Sequence, residues 1–264
     1  MRRSTAVVLA VAAATGIVPL TVARTPSAEG EREIAFPATG GVGPVLEGML
    51  AIPAGGTPAP GAVICHPDPR AGGSMENPII KDLRAGFARA GFATLRFNFR
   101  GVGKSAGAFT DGKTEVDDVL GALAFLRRQA GVDPGRVSVV GYSFGAAMAL
   151  RAAIRDGTVP ACACLGFPTR AADDVASDAS FRGIGFPTIL VAGTEDMVCR
   201  LDALAGIVRT SGAQRWCRIE PIPGADHVLA GVGQRGIAVK RIVRFIRQAS
   251  VGHPRGEPSS PSSR

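Results

Sequence analysis

Three segments of the sequence are apolar on both faces of a strand, and they constrain the fold more than any other feature. They are GAVIC at 61–65, RVSVVG at 136–141 and PTILVAG at 187–193. A strand that buries both of its faces belongs in a parallel sheet that is covered by helices on either side. A sheet with one solvated face is therefore excluded, because its strands would alternate apolar and polar residues.

Strand-like and helix-like segments alternate along the chain. Strands are predicted at 33–36, 45–52, 62–65, 93–99, 136–141, 161–167, 188–192 and 218–222. Helices, indicated by apolar residues at three- and four-residue spacing, are predicted at 79–90, 116–130, 144–155, 201–210 and 236–248. This order predicts an α/β fold with a doubly wound, mostly parallel sheet of eight strands, entered through two antiparallel strands.

Composition favours one large folded domain. The chain has 264 residues, of which 46% are apolar, so it can bury a full core and is not a disordered chain. The formal net charge is +8, but the arginines are dispersed along the chain and only 5% of the residues are aromatic. Without a basic cluster or stacking side chains, nucleic acid is not expected as a partner.

The amino terminus has the pattern of a signal peptide at 1–23. Arg2 and Arg3 precede an apolar run at 6–14, and 21–23 match a small-x-Ala cleavage signal. The run is shorter than the ~20 apolar residues of a spanning helix, so stable membrane insertion is not expected. We expect an exported, periplasmic or secreted protein with its domain at 24–250 and a disordered tail at 251–264. A membrane anchor and a downstream translation start, which would leave the protein cytoplasmic, remain alternatives.

The cysteines indicate neither a metal site nor a disulfide framework. The chain has five, with no CxxC pair among them. Cys162 and Cys164 alternate along one predicted strand and are expected to pack as small hydrophobic side chains. The odd number leaves at least one free thiol.

The motif Gly141-Tyr142-Ser143-Phe144-Gly145 lies directly between an apolar strand and an Ala-rich helix. In this context GxSxG is typical of a nucleophile elbow, a strained strand-to-helix turn that glycines permit and that exposes the serine hydroxyl. We call residues 141–145 the elbow. It predicts Ser143 as a catalytic nucleophile and assigns its neighbour Tyr142 to substrate binding.

A serine nucleophile needs a base, and the chain has three histidines. His253 lies in the tail and His66 precedes the serine, so elimination and chain order select His227, which follows the last predicted strand. The carboxylate that orients the histidine is expected at the end of a strand between the two. Asp196 is the first choice, and the adjacent Glu195 is the alternative.

These motifs together resemble the α/β-hydrolase superfamily, and within it the small bacterial hydrolases with a His-Pro segment, which are esterase-like or dienelactone-hydrolase-like. The similarity extends over about 36–249. The segments that carry it are 65–69, 72–75, 95–105, the elbow, Asp196 and His227. The resemblance implies a serine hydrolase and does not specify its substrate.

The same resemblance implies an oxyanion hole made of two backbone N–H groups. The first belongs to Phe144, directly after the nucleophile, and the second to the loop after the third strand. Many relatives have His-Gly there, whereas this chain has His66-Pro67, and proline has no N–H to donate. The second donor is therefore assigned to Asp68, and His66 is expected to hydrogen-bond within the loop.

A glycine-rich segment at 101–106 offers a different interpretation. It contains GKS, as a phosphate-binding P-loop does, but the position that requires the first glycine is Asn98. It also matches a dinucleotide-binding pattern, yet no acidic residue ends the next strand. We interpret the segment as the loop after the fourth strand and predict no cofactor.

The predicted reaction is acyl transfer from a small, accessible carboxylic ester. Residues 169–186 leave room for one short helix rather than a cap domain, so Ser143 is expected in an open cleft. Two alternatives remain open. One is an amidase or peptidase that acts on small acylated amines, and the other is a non-catalytic binding module of the same fold. The oligomeric state is not predicted.

Overall fold

The computed structural model describes residues 30–39, 43–169 and 181–251, and its central element is an eight-stranded sheet. The strands are β1 (Arg32–Pro37), β2 (Val45–Ala51), β3 (Ala59–Cys65), β4 (Ala93–Phe97), β5 (Val132–Tyr142), β6 (Cys162–Leu165), β7 (Thr188–Gly193) and β8 (Cys217–Ile222). Their order across the sheet is β1-β2-β4-β3-β5-β6-β7-β8. β1 pairs antiparallel with β2, and β2 pairs antiparallel with β4. The six strands from β4 to β8 in this order pair parallel, which confirms the predicted sheet.

Five α-helices with both ends among the described residues connect or follow these strands. They are α1 (Pro78–Arg89), α2 (Glu115–Arg127), α3 (Phe144–Asp156), α4 (Leu201–Thr210) and α5 (Gln234–Val251). The last helix extends three residues beyond its predicted end, to Val251. β4 is two residues shorter than predicted, because the Phe99 N–H donates to the His66 ring and not to a neighbouring strand.

The sheet separates two layers of the core, and side chains of each central strand alternate between them. Ala62 and Ile64 of β3 pack in the layer under α1 and α5. Val63 and Cys65, on the opposite face of the same strand, pack in the layer under α2 and α3. This two-sided burial is the arrangement that the apolar strands predict.

The parallel strands bring their carboxyl ends to one edge of the sheet. The elbow follows β5, the loop with Asp196 follows β7, and the loop with His227 follows β8, so the topology gathers all three at that edge. No large cap domain interrupts the described residues. The short helix expected within 169–186 falls mostly outside them, as do the leader at 1–23 and residues 252–264 of the tail.

Among the residues that the structure describes, no helix has both the length and the apolar composition that crossing a bilayer requires.

The contact between α2 and the end of β1 depends on a helical glycine. A Cβ atom at Gly121 would lie 2.5 Å from the Pro37 carbonyl oxygen and 2.8 Å from the Ala38 Cα. Both atoms belong to backbone, which cannot rotate away as a side chain can. The helix therefore packs at this distance only because position 121 has no side chain.

We predict that Gly121→Ala lowers the free energy of unfolding by about 1–3 kcal/mol, because overpacking forces the backbone apart. Helix propensity alone predicts the opposite, a gain of up to ~1 kcal/mol. Gly206→Ala in α4 is the matched control, since a Cβ there meets no atom within 4 Å, and we expect it to be neutral or stabilising. Urea denaturation measures both, and a Gly121→Ala protein as stable as the control would contradict the close contact.

Candidate active site

Ser143 has a backbone conformation that side chains rarely adopt. Its φ is 56° and its ψ is −122°, in the turn between β5 and α3. A Cβ at Gly141 would lie 2.1 Å from the Gly145 carbonyl oxygen, and a Cβ at Gly145 would lie 2.4 Å from the Cys65 and His66 carbonyl oxygens. Both glycines are therefore required by direct backbone contact, which holds the serine in its strained conformation.

The structure brings Ser143, His227 and Asp196 together in one line of hydrogen bonds. The distance from His227 Nε2 to Ser143 Oγ is 2.9 Å. On the other side of the ring, His227 Nδ1 lies 2.8 Å from Asp196 Oδ2. These are the distances at which a serine hydroxyl, an imidazole and an orienting carboxylate exchange and stabilise a proton.

The loop after β7 aims the Asp196 carboxylate at the ring. Its Oδ1 accepts hydrogen bonds from the backbone N–H groups of Val198 at 2.8 Å and Cys199 at 2.7 Å. The residue is only 4% exposed, whereas the neighbouring Glu195 is exposed to solvent. Of the two adjacent acids considered as partners of His227, the structure therefore places Asp196 against the ring.

Hydrogen bonds between the loops after β7 and β8 fix the distance between Asp196 and His227. The Glu195 N–H donates to the Ala225 carbonyl oxygen at 2.9 Å, and the Gly224 N–H donates to Thr194 Oγ1 at 2.8 Å. A Cβ at Gly193 would lie 2.0 Å from the Ala225 carbonyl oxygen, so this glycine permits the close approach. The sequence analysis did not identify these contacts.

Gly166 is a further residue of the site that the sequence analysis missed. It follows β6 with a φ of +58°, and a Cβ there would lie 3.0 Å from His227 Cε1 and 3.5 Å from Asp196 Oδ2. The glycine therefore leaves the space in which the imidazole sits. A glycine near the end of the predicted strand at 161–167 was the one available signal.

Tyr142 supports the His227 loop, and its predicted role in substrate binding stays a prediction. The residue is 4% exposed, and its hydroxyl donates to the His227 carbonyl oxygen at 3.0 Å. The two rings also face each other, with centroids 5.4 Å apart. Burial raises the pKa of Tyr142 to about 12, so the hydroxyl keeps its proton for this bond.

The two backbone amides assigned to an oxyanion hole donate to no acceptor among the residues that the structure describes. Neither the Phe144 N–H, at the first position of α3, nor the Asp68 N–H donates to a described group. The Asp68 N–H shares a peptide group with the Pro67 carbonyl oxygen, which accepts from His66 Nδ1 at 2.7 Å, and this bond fixes the orientation of that peptide. The contact of Gly145 with the His66 carbonyl oxygen holds this loop against the elbow.

The side chains of Arg96, in β4, and Asn98, directly after β4, hold the loop after β3 in place. Asn98 Oδ1 accepts from the Met75 N–H at 2.8 Å, and Arg96 donates to the Met75 carbonyl oxygen at 2.9 Å. At the other end of the loop, Arg70 donates to both carboxylate oxygens of Asp68. Partial burial raises the pKa of Asp68, but the hydrogen bonds from Arg70 outweigh it, and the net pKa is lowered.

His66 is a buried structural residue, as expected from the sequence. Its Nε2 accepts from the Phe99 N–H at 3.1 Å, so the ring proton is on Nδ1, which donates to the Pro67 carbonyl oxygen at 2.7 Å. Burial lowers the pKa of His66 to about 4, despite the hydrogen bond to Pro67. The neutral imidazole therefore ties the loop after β3 to the end of β4.

The glycine-rich segment at 101–106 is not a phosphate-binding loop. Glu47 Oε1 accepts from the Lys104 N–H at 2.6 Å and from Asn98 Nδ2 at 2.7 Å, so a carboxylate occupies the concave side of the segment. The next helix begins only at Glu115, whereas a P-loop leads directly into its helix.

The cysteines are free thiols in the described structure. Four are buried and Cys217 is partly buried, and Cys162 and Cys164 lie on one face of β6 with their sulfur atoms 3.9 Å apart. No group of three or more His, Cys, Asp or Glu side chains in the described parts of the chain has a geometry that could hold a metal ion.

Comparison with known sequences finds both a matching family model and similar proteins. A family model described as an alpha/beta hydrolase domain matches residues 63–252. The chain is also similar to an uncharacterised protein of Rickettsia prowazekii, with 31% identity over 175 residues that cover 64% of this chain and 71% of the relative.

Comparison with solved structures gives the same fold. A protein of unknown function from Agrobacterium tumefaciens, described as an alpha/beta hydrolase, aligns with a TM-score of 0.71 and 28% identity, over 86% of this chain and 100% of that chain. An alpha-beta serine hydrolase homologue from Coxiella burnetii aligns with a TM-score of 0.68 and 26% identity, over 80% of this chain and 97% of that chain.

The pKa of His66 predicts a pH dependence of stability. Between about pH 6.5 and its folded-state pKa of about 4, the unfolded chain binds a proton at His66 and the folded chain does not. The fold therefore loses about 3 kcal/mol of stability as the pH falls through this window, at 1.36 kcal/mol per pKa unit.

The comparison with His66→Gln isolates this contribution, because titrating carboxylates are common to both proteins. We expect the stability advantage of the wild type over the variant to fall by about 3 kcal/mol between pH 7 and pH 4. Urea denaturation at a series of pH values measures it. A difference that stays constant over that range would show that His66 is not held neutral.

Proposed function

Because the chain belongs to the alpha/beta hydrolase family, we propose that it is a serine hydrolase that cleaves small, accessible carboxylic esters through an acyl-enzyme. The observation that carries the proposal is the unbroken line of hydrogen bonds from Ser143 through His227 to Asp196. A serine hydroxyl in contact with an oriented imidazole is the arrangement that acyl transfer requires.

The first step begins with Ser143 Oγ. It attacks the ester carbonyl carbon while its proton passes to His227 Nε2, which lies 2.9 Å away. The bond from Oγ to carbon forms, and the carbonyl π electrons move to the oxygen. Asp196 Oδ2, held against Nδ1, stabilises the imidazolium that results.

The negative oxygen of the tetrahedral intermediate needs hydrogen-bond donors. The Phe144 and Asp68 N–H groups are our candidates, and the positive end of the α3 dipole adds to the first of them. Collapse of the intermediate breaks the bond to the alcohol, which takes the proton from Nε2. Water then repeats the sequence on the acyl-enzyme, releases the acid and restores Ser143.

The surroundings of the site support a small and accessible substrate. No large cap domain is present among the described residues. Met197, directly after Asp196, is 66% exposed, and Val228, directly after His227, is 58% exposed. These exposed apolar side chains are our candidates for contact with the hydrocarbon part of an ester.

The first test is the activity of Ser143→Ala. We expect kcat on p-nitrophenyl esters to fall by on the order of a thousandfold or more with the fold intact, because the nucleophile is lost. A fluorophosphonate probe should label the wild type and the control Ser211→Ala, but not Ser143→Ala. Activity within about tenfold of the wild type would remove Ser143 from the mechanism.

The same assay separates the alternative functions. A series of esters with increasing acyl length, tested beside aminoacyl anilides, reports both the bond cleaved and the depth of the pocket. Faster turnover of the anilides than of the esters would identify an amidase. A folded wild type that neither reacts with the fluorophosphonate probe nor hydrolyses any of these substrates would identify a binding module. Either outcome would overturn the ester proposal.

The second test compares the two adjacent acids. Asp196→Asn removes the charge that stabilises the imidazolium, and we expect kcat to fall by on the order of 10⁴-fold. Glu195→Gln makes a matched change on an exposed side chain and is expected to stay within a few-fold of the wild type. Steady-state kinetics on one ester measures both, and the reverse ranking would make Glu195 the partner of His227.

A further inference from the structure

A groove between α1 and α5 lies away from the catalytic edge of the sheet. It is open to solvent and has a volume of about 690 Å³. α1 ends at Arg89, shortly before β4 begins at Ala93. The Arg89 end of the groove therefore lies at the edge of the sheet where the parallel strands begin. Ser143 lies at the opposite edge, and the groove is therefore separate from the candidate active site.

The floor of the groove is apolar. It is formed by Gly86 of α1, by Ala90 directly after that helix, and by Val239 and Val243 of α5. The two helices approach closely there, since a Cβ at Gly86 would lie 2.4 Å from Val239 Cγ1. Val239 is buried and Val243 is half-buried, so the two valine side chains line the groove rather than project into solvent.

The rim of the groove is positively charged. Lys240, Arg244 and Arg247 repeat at four- and three-residue spacing and so share one side of α5, and Arg89 faces them from α1. All four are exposed, and no residue that lines the groove is acidic. No described carboxylate lies within ion-pair distance of any of these four side chains.

Other arginines of the same two helices do pair with acids. Arg84 of α1 contacts Glu31 at 3.4 Å. Arg241 of α5 contacts Glu220 at the same distance. Unpaired charge is therefore a property of the groove rather than of these helices as a whole.

We propose that the groove binds a medium-chain carboxylate, with the hydrocarbon chain on the floor and the carboxylate among the cations of the rim. The volume lies within the ~300–1,000 Å³ that is usual for small-molecule sites. Guanidinium groups bind carboxylates with charge-assisted, often bidentate hydrogen bonds. A recessed floor fits one inserted chain better than a flat lipid surface.

The tail of the protein itself does not match the rim in charge. Residues 252–264 contain one acid, Glu257, and two arginines, Arg255 and Arg264. Like charges on the tail and on the rim repel each other, whereas an anionic amphiphile complements both the rim and the floor.

The test is calorimetric titration of the full chain with decanoate below its micelle concentration. Arg244→Gln combined with Arg247→Gln removes two rim charges, and Arg128→Gln combined with Arg209→Gln removes two exposed charges elsewhere. We expect saturable binding to the wild type and the control, and a dissociation constant at least about tenfold higher for the rim variant, equivalent to about 1.4 kcal/mol. Decanol, which lacks the charge, is expected to bind the wild type at least about tenfold more weakly.

Three outcomes would overturn the proposal. Equal affinity of all three proteins would place decanoate elsewhere, for example at Ser143. Equal affinity of the wild type for decanol and decanoate would remove the role of charge. A wild type that forms dimers and a rim variant that is monomeric would assign the groove to a second copy of the chain. None of these results depends on hydrolytic activity, so the proposal stands or fails separately from the proposed function.

Discussion

The backbone contacts of the two elbow glycines determine where the serine hydroxyl can be. Gly141 touches the Gly145 carbonyl, and Gly145 touches the carbonyls of Cys65 and His66 at the end of β3. With side chains at either position, β5 could not turn into α3 at this distance from β3. A non-glycine residue at positive φ costs of order 1–3 kcal/mol, and the packing of β3, β5 and α3 offsets that cost. The orientation of Ser143 therefore depends on the sheet as a whole.

The partners of Ser143 reach it through the topology of the sheet. Parallel strands end at one edge, so the loops after β7 and β8 are neighbours although Asp196 and His227 are 31 residues apart. Backbone hydrogen bonds between these loops fix their separation, and the hydroxyl of Tyr142 holds the His227 loop to β5. On the other side, the neutral His66 ring holds the loop with the Asp68 amide against the end of β4. Each group of the proposed mechanism is thus positioned by a group outside that mechanism.

The sequence predicted the features that depend on local pattern. Apolar strands and helical spacing gave the confirmed fold, and GxSxG between a strand and a helix gave the elbow. Chain order also selected His227, but contacts with a distant residue that no motif marks were not predictable. The choice between Asp196 and Glu195 rests on a turn whose amides at Val198 and Cys199 bind one carboxylate. The role of Tyr142 rests on a carbonyl 85 residues away, and the space at Gly166 is visible only once His227 is placed. The charge of the α1/α5 groove likewise appears only when two helices are brought together.

The central claim is that the elbow directs Ser143 Oγ toward His227 and places a reacting carbonyl oxygen at two backbone amides. A crystal structure of the phosphonylated protein tests it most directly, because the phosphonyl oxygen occupies the position of the developing oxyanion. The account predicts phosphorus bonded to Ser143 Oγ, with its oxygen within about 3 Å of the Phe144 and Asp68 nitrogens. Phosphorus on any other residue, or an oxygen that accepts from neither amide, would contradict it.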